Sequence, residues 1–105
     1  LFDKRSHARF PVSLEITLVC AGQRHRAESR DVSLGGMFVY TDAKVPFGAD
    51  VEVVLRLPAM KEEITIQAVA RWHQNGGVGV SFKSMRAREV WALNQLFKTT
   101  TSAAG

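Results

Sequence analysis

Short runs in which every second residue is apolar recur along this chain, and they constrain its fold more than any other feature. Val12, Leu14, Ile16, Leu18 and Cys20 alternate with Ser13, Glu15 and Thr17, and Val51, Val53, Leu55 and Leu57 alternate with Glu52, Val54 and Arg56. Ile64, Ile66, Ala68, Ala70 and Trp72 share one side of a longer run. Successive strand side chains point to opposite faces, so each run predicts a strand with one buried face. Further strands are expected over residues 24–31, 37–41 and 78–82, the last with Val78, Val80 and Phe82 inward and Gly79 where a side chain would collide. Ala21-Gly22-Gln23, the stretch Val45-Pro46-Phe47-Gly48-Ala49-Asp50, Pro58 and Asn75-Gly76-Gly77 supply the turns between them. Six antiparallel strands of even spacing predict closure into a small barrel, which removes unpaired edges. After Ser84, read as an N-cap, residues 86–98 carry Val90, Leu93 and Phe97 at helical spacing, with Trp91 broadening the stripe. The expected fold class is therefore mainly β: a six-stranded antiparallel β-barrel with a C-terminal α-helix, followed by a frayed tail over residues 99–105.

Composition narrows the function classes. A length of 105 residues suits one domain and one core, and 46% hydrophobic with 23% charged residues is close to the globular average. The single cysteine, Cys20, excludes an internal disulfide and fits a reducing, cytoplasmic home. No apolar run reaches the length of a membrane span and no signal-peptide core precedes the first strand, so membrane insertion is not expected. Leu1 in place of a methionine suggests a trimmed chain or a domain cut from a longer one. The net charge of +4 favours anionic partners. His7, His25 and His73 lack metal-like spacing, and Cys20 alternates with core aliphatics rather than lying beside a base. Neither a phosphate loop nor a dinucleotide fingerprint occurs. A binding protein without enzymatic activity, metal or cofactor is the expectation.

Two polar stretches stand apart from the strand pattern. In Asp31-Val32-Ser33-Leu34-Gly35-Gly36, Asp31 and Ser33 are two apart and share a side in extended chain, and the glycines allow positive φ and close backbone approach. A carboxylate, a hydroxyl and bare backbone suit a ligand with several N–H donors, such as guanine; the alternative is a side-chain turn closed by glycines. Lys4-Arg5-Ser6-His7-Ala8-Arg9-Phe10-Pro11 concentrates cationic groups that can fork onto phosphate or stack on a purine. If the strands flanking Ala21-Gly22 form a hairpin with arms of similar length, the residues before the first and at the end of the second lie together. Arg9 and Asp31 then meet.

Arg5-xxx-Arg9 followed by Asp31-x-Ser33-x-x-Gly36 resembles the two signature motifs of the PilZ domain, the bacterial receptor module for cyclic di-GMP. Arg71-Trp72 and then Gly76-Gly77-Val78-Gly79-Val80-Ser81-Phe82 resemble the family's late hairpin, so the resemblance runs from about Arg5 to Phe82 with a helix after it. It implies that Arg5 and Arg9 hold the phosphates and one guanine. Asp31 accepts from guanine N1–H and N2–H, Ser33 bonds to phosphate or base, and Gly36 keeps the floor low. Lys4 stands at the position that in the family influences whether one ligand or an intercalated pair is bound, and Trp72 is placed to stack on a guanine or to stay in the core. Residues 1–10 are then a flexible arm carrying RxxxR, and residues 11–98 the barrel with its helix. The implied output is a change of shape passed to a downstream protein or an adjacent domain, with no DNA or RNA partner. Two other readings stay open at this point: a PilZ-fold interaction adaptor that binds no nucleotide, and a basic barrel that binds single-stranded nucleic acid.

Overall fold

The computed structural model describes residues 8–74 and 76–104. Strands β1 (Glu15–Cys20) and β2 (Gln23–Val32) form the first hairpin, with Cys20 paired to Gln23 across Ala21 and Gly22. Both turn residues carry positive φ, 53° and 79°, so the turn twists in the sense of the strands it joins. β3 (Gly36–Tyr40), β4 (Asp50–Leu55), β5 (Ile64–Gln74) and β6 (Gly77–Phe82) follow, and then helix α1 (Ala87–Ala104). The order around the sheet is β1-β2-β3-β6-β5-β4, and β4 returns to β1 to close a barrel in which every neighbouring pair is antiparallel. The six-stranded barrel with a terminal helix expected from the alternation is the observed fold.

The inward residues follow the predicted faces. Leu18, Val53, Ile66, Ala68 and Val80 are at most 1% exposed and meet in one core cluster. Each fully buried leucine, valine or isoleucine of this kind contributes about 1.5–3 kcal/mol. α1 adds Ala92, Leu93 and Phe97 to the same cluster, so the apolar stripe of the helix packs on the barrel. The alternating residues before Glu15 are held through a side chain: the Ser29 hydroxyl donates to the Val12 carbonyl (2.5 Å) and accepts from the Leu14 amide (2.8 Å). That arrangement satisfies a polar group only 2% exposed on the inner side of β2.

The helix boundaries differ from expectation at both ends. Ser84 is not the cap. The Arg86 carbonyl accepts the first helical bonds, from Glu89 and Val90, and the Arg86 amide donates to Glu89 Oε1 at 3.0 Å. The N3 carboxylate thus satisfies an orphan amide of the first turn. At the other end the helix continues past Lys98 to Ala104, through residues expected to form the tail, and the Thr99 hydroxyl donates back to the Gln95 carbonyl. Among the described residues no helix is long and apolar enough to cross a membrane.

Candidate functional site

Two interruptions of strand periodicity bring the site residues to the barrel's outer face. In β2, Ser29 opposes Val39 but Asp31 opposes Phe38, so Arg30 is an extra residue in the ladder. In β5, Ala70 opposes Val80 but Trp72 opposes Gly79, and Arg71 is the extra one. A bulge of this kind bends a strand and re-aims the side chain that follows it. Without it, Asp31 would share the inner side with Ser29, and Trp72 would share it with Ala70, as the alternation of β5 suggested. The expectation of one unbroken apolar face from Ile64 to Trp72 is therefore corrected at its last residue.

Across the sheet, Asp31, Phe38, Gly79 and Trp72 stand opposite one another in a single row over β2, β3, β6 and β5. Phe38 lies between the core residues Met37 and Val39, so its ring is on the outer side, yet it is 0% exposed. The missing side chains of β6 make room for it. A Cβ on Gly77 would lie 2.7 Å from the Phe38 ring and 2.2 Å from the Val39 carbonyl oxygen, and one on Gly79 would lie 1.9 Å from the Trp72 ring. Gly79 thus sits where a side chain would collide, as the strand pattern predicted. Two aromatic rings occupy a trough floored by glycine backbone.

Two guanidinium groups lie over these rings and share one carboxylate. Arg30 stands 4.2 Å from the centroid of Phe38 and Arg9 stands 5.7 Å from that of Trp72. Arg9 Nε and Nη2 donate to Asp31 Oδ1 at 2.8 and 2.5 Å, and Arg30 Nε donates to Oδ2 at 2.7 Å. Arg30 Nη1 also donates to Gln74 Oε1 at 3.0 Å, which ties β2 to the end of β5. Burial pushes the Asp31 carboxyl up, but hydrogen bonds from Arg30 and Arg9, with their charges, outweigh it and leave the group below its ordinary value. The bond to Asp31 in turn raises the pKa of Arg30. The result is an acceptor whose ionised form is favoured, 15% exposed and held at the surface between two donors.

Arg9 reaches this position because Phe10 is pinned. Its amide donates to the Val32 carbonyl at 2.8 Å, its carbonyl accepts from the Val32 amide at 2.9 Å, and its ring stacks on Phe97 of α1 with centroids 4.3 Å apart. The expected meeting of Arg9 and Asp31 at one end of the β1–β2 hairpin is observed. Phe10 belongs with the barrel rather than with the arm proposed for residues 1–10. Arg5 and Lys4 lie outside the described residues.

Ser33 and Gly36 take structural places. Ser33 lies beyond the end of β2 and is 2% exposed, so the same-side rule for residues two apart in a strand does not relate it to Asp31. Its hydroxyl accepts from the Gly35 and Gly36 amides, both at 3.1 Å, and donates to the Gly36 carbonyl at 3.2 Å. It closes a tight turn. Gly36 does not carry a positive φ; a Cβ there would lie 2.1 Å from the Val80 carbonyl oxygen, so glycine is required by the approach of β6. Sequence reasoning missed Arg30, Phe38 and Gln74. The available signal was the Gly-x-Gly spacing of β6, which leaves outward room that an aromatic residue of a neighbouring strand must fill.

The site is thus a face of a small closed barrel on which one carboxylate stands between two arginines, beside a half-buried indole. The family model for the PilZ domain matches residues 3–98, and the chain belongs to the PilZ family, whose members are binding and regulatory domains for cyclic di-GMP. The PilZ domain of CeSA from a cellulose-synthesizing bacterium superposes with a TM-score of 0.66 at 18% identity, over 92% of this chain and 98% of that one. The Bacillus subtilis inhibitor of motility superposes with a TM-score of 0.70 at 16% identity, over 92% of this chain and 53% of that one. At these identities the likeness is one of fold. A search of curated proteins gives no match.

Proposed function

We propose that this domain binds cyclic di-GMP on the outer face of the barrel and passes the ligand's level on as a change of shape. The observation that carries the reading is Asp31, an ionised carboxylate at the surface beside a half-buried indole and between two arginines. A guanine edge offers N1–H and N2–H side by side, a match for the two oxygens of one carboxylate. Trp72 supplies a flat surface for a base, and Arg9, joined by Arg5 and Lys4 of the same segment, supplies charge for the phosphates. Ser33 and Gly36 keep the loop after β2 tight and low, and the hydroxyl turns to the ligand only if the turn opens.

The shape change follows from the pairing of Arg9. Its guanidinium is engaged with Asp31, and the next residue, Phe10, stacks on Phe97 of α1. Transfer of Arg9 from Asp31 to a phosphate pulls on a residue that touches the helix, and α1 is then the element a partner protein or neighbouring domain reads. No step in this scheme needs chemistry on the ligand.

Isothermal titration calorimetry of cyclic di-GMP into the domain near physiological salt tests the reading, with GTP and the Arg9→Ala variant as controls. Saturable binding of cyclic di-GMP, no heat with GTP, and at least about a tenfold loss in Arg9→Ala are expected, given the worth of hydrogen bonds to charged groups. No heat with cyclic di-GMP would leave the fold intact and the proposed ligand wrong.

A further inference from the structure

Arg30 belongs to neither of the two motifs, yet it is tied at three points: to Asp31 Oδ2, to Gln74 Oε1 and over the ring of Phe38. On a regular strand, residues 30 and 31 point to opposite faces. They share one only because Arg30 is the bulge residue of β2. Its base is rigid, since the Phe38 ring beneath it is 0% exposed and wedged over Gly77. We propose that Arg30 is a positioning residue for nucleotide binding: it keeps the Asp31 carboxylate aimed at the guanine edge while Arg9 is released to the phosphates. The inference rests on the reading of this face as a cyclic di-GMP site.

Counting acceptor places decides which arginine stays. A carboxylate oxygen accepts about two hydrogen bonds. Among the described residues, Oδ1 has both places taken by Arg9, whereas Oδ2 has one taken by Arg30. The paired donors of guanine need one place on each oxygen. Oδ2 supplies its place with Arg30 still bound, and Oδ1 supplies one only when Arg9 lets go. Arg30 is also the arginine with a second polar tether, through Gln74, and with the closer ring contact. The pair therefore divides the work: one guanidinium is exchanged on binding and the other holds the acceptor still.

The same geometry protects the acceptor from protonation. The charges acting on Asp31 are those of Arg30 and Arg9. From β3, Tyr40 acts on Arg30 rather than on Asp31, and the facing residues Phe38, Gly79 and Trp72 do not titrate. From β5, His73 turns its Nε2 to the Val45 carbonyl. Once Arg9 has moved to the ligand, Arg30 is the donor left to keep the carboxylate ionised. A carboxyl without it protonates at higher pH and loses acceptor capacity.

Calorimetric titration of cyclic di-GMP into the wild type, Arg30→Gln and Arg30→Lys, from neutral to mildly acid pH, tests this, with thermal unfolding as the check on folding. The wild type is expected to bind equally well across that range. Arg30→Gln should bind about tenfold more weakly at neutral pH and lose further affinity as the pH falls toward the ordinary carboxylate range. Arg30→Lys should recover the flat pH profile but only part of the affinity, because it keeps the charge without the fork. Wild-type affinity and profile in Arg30→Gln would overturn the inference, and so would an affinity loss with no change in pH dependence. If Arg30→Gln does not fold, Arg30→Lys and Gln74→Ala carry the test: weaker binding in both supports the role, and wild-type affinity in both removes it. No binding by the wild type is a different result, which sinks the reading of the site and the inference with it.

Discussion

The inner and outer faces of the barrel are packed on opposite plans. Inside, Leu18, Val53, Ile66 and Val80 fill space with their own side chains, and any one of them borders several others in a continuous cluster. Outside, β6 contributes empty positions at Gly77 and Gly79, and rings from β3 and β5 lie in the vacancy. The inner face gains by burying apolar surface. The outer face builds a flat, half-open surface on which charged groups can stand, and each ring there depends on one missing methyl group. Damage should therefore show in different places: core truncations act on stability as a whole, whereas glycine substitutions act on one ring and the charge above it.

The largest contrast is expected from Leu18→Ala, which empties a fully buried site and should cost about 2–5 kcal/mol in denaturant unfolding while leaving the outer face unchanged. Gly77→Ala comes next. Its Cβ would run into the Val39 carbonyl, part of the β3–β6 ladder, as well as into Phe38, so backbone must move and about 1–3 kcal/mol should be lost. Gly79→Ala should cost less, because the obstacle is the half-buried Trp72 side chain, which can swing outward. In a Trp91→Phe background, a red-shifted Trp72 emission with little loss of stability would be the signature, and an unshifted spectrum would refute the packing described for the trough. The smallest expected effect is electrostatic. Because Asp31 is held below its ordinary pKa, its pairs stabilise the fold fully above about pH 4 and lose that contribution as the pH falls through its folded value. Asp31→Asn should flatten this part of the acid titration of stability, by a small amount since both arginines are well solvated.

Much of this plan was readable from alternation. The runs 12–20, 51–57 and 64–70 have a period of two because one face of each strand is buried, and the hairpin around Ala21-Gly22 carried the meeting of Arg9 with Asp31. Other local signals were incomplete. Ser84 looks like a cap, but a cap is defined by which carbonyl starts the helix, and that is Arg86. Gly36 looks like a flexible floor, but it is glycine because β6 passes within contact distance. Ser33 allowed two readings, a bond to phosphate or base and a turn closed by glycines, and in the free domain its hydroxyl serves the amides of that turn. For Gly36 the deciding neighbour, β6, lies far outside the local pattern.

Strand content, the barrel, the helix on its end and the convergence of Arg9 with Asp31 could be read along the chain, because periodicity and turn chemistry are local properties. The face that Asp31 and Trp72 occupy depends instead on strand pairing. A bulge adds one residue to a ladder and reverses every later side chain, and its place is set by the register of the opposing strand. The extra residues are Arg30 and Arg71, and nothing in either strand alone marks them. The long-range pairing of β2 with β3 and of β5 with β6 turned a carboxylate and an indole outward to make a surface for a ligand.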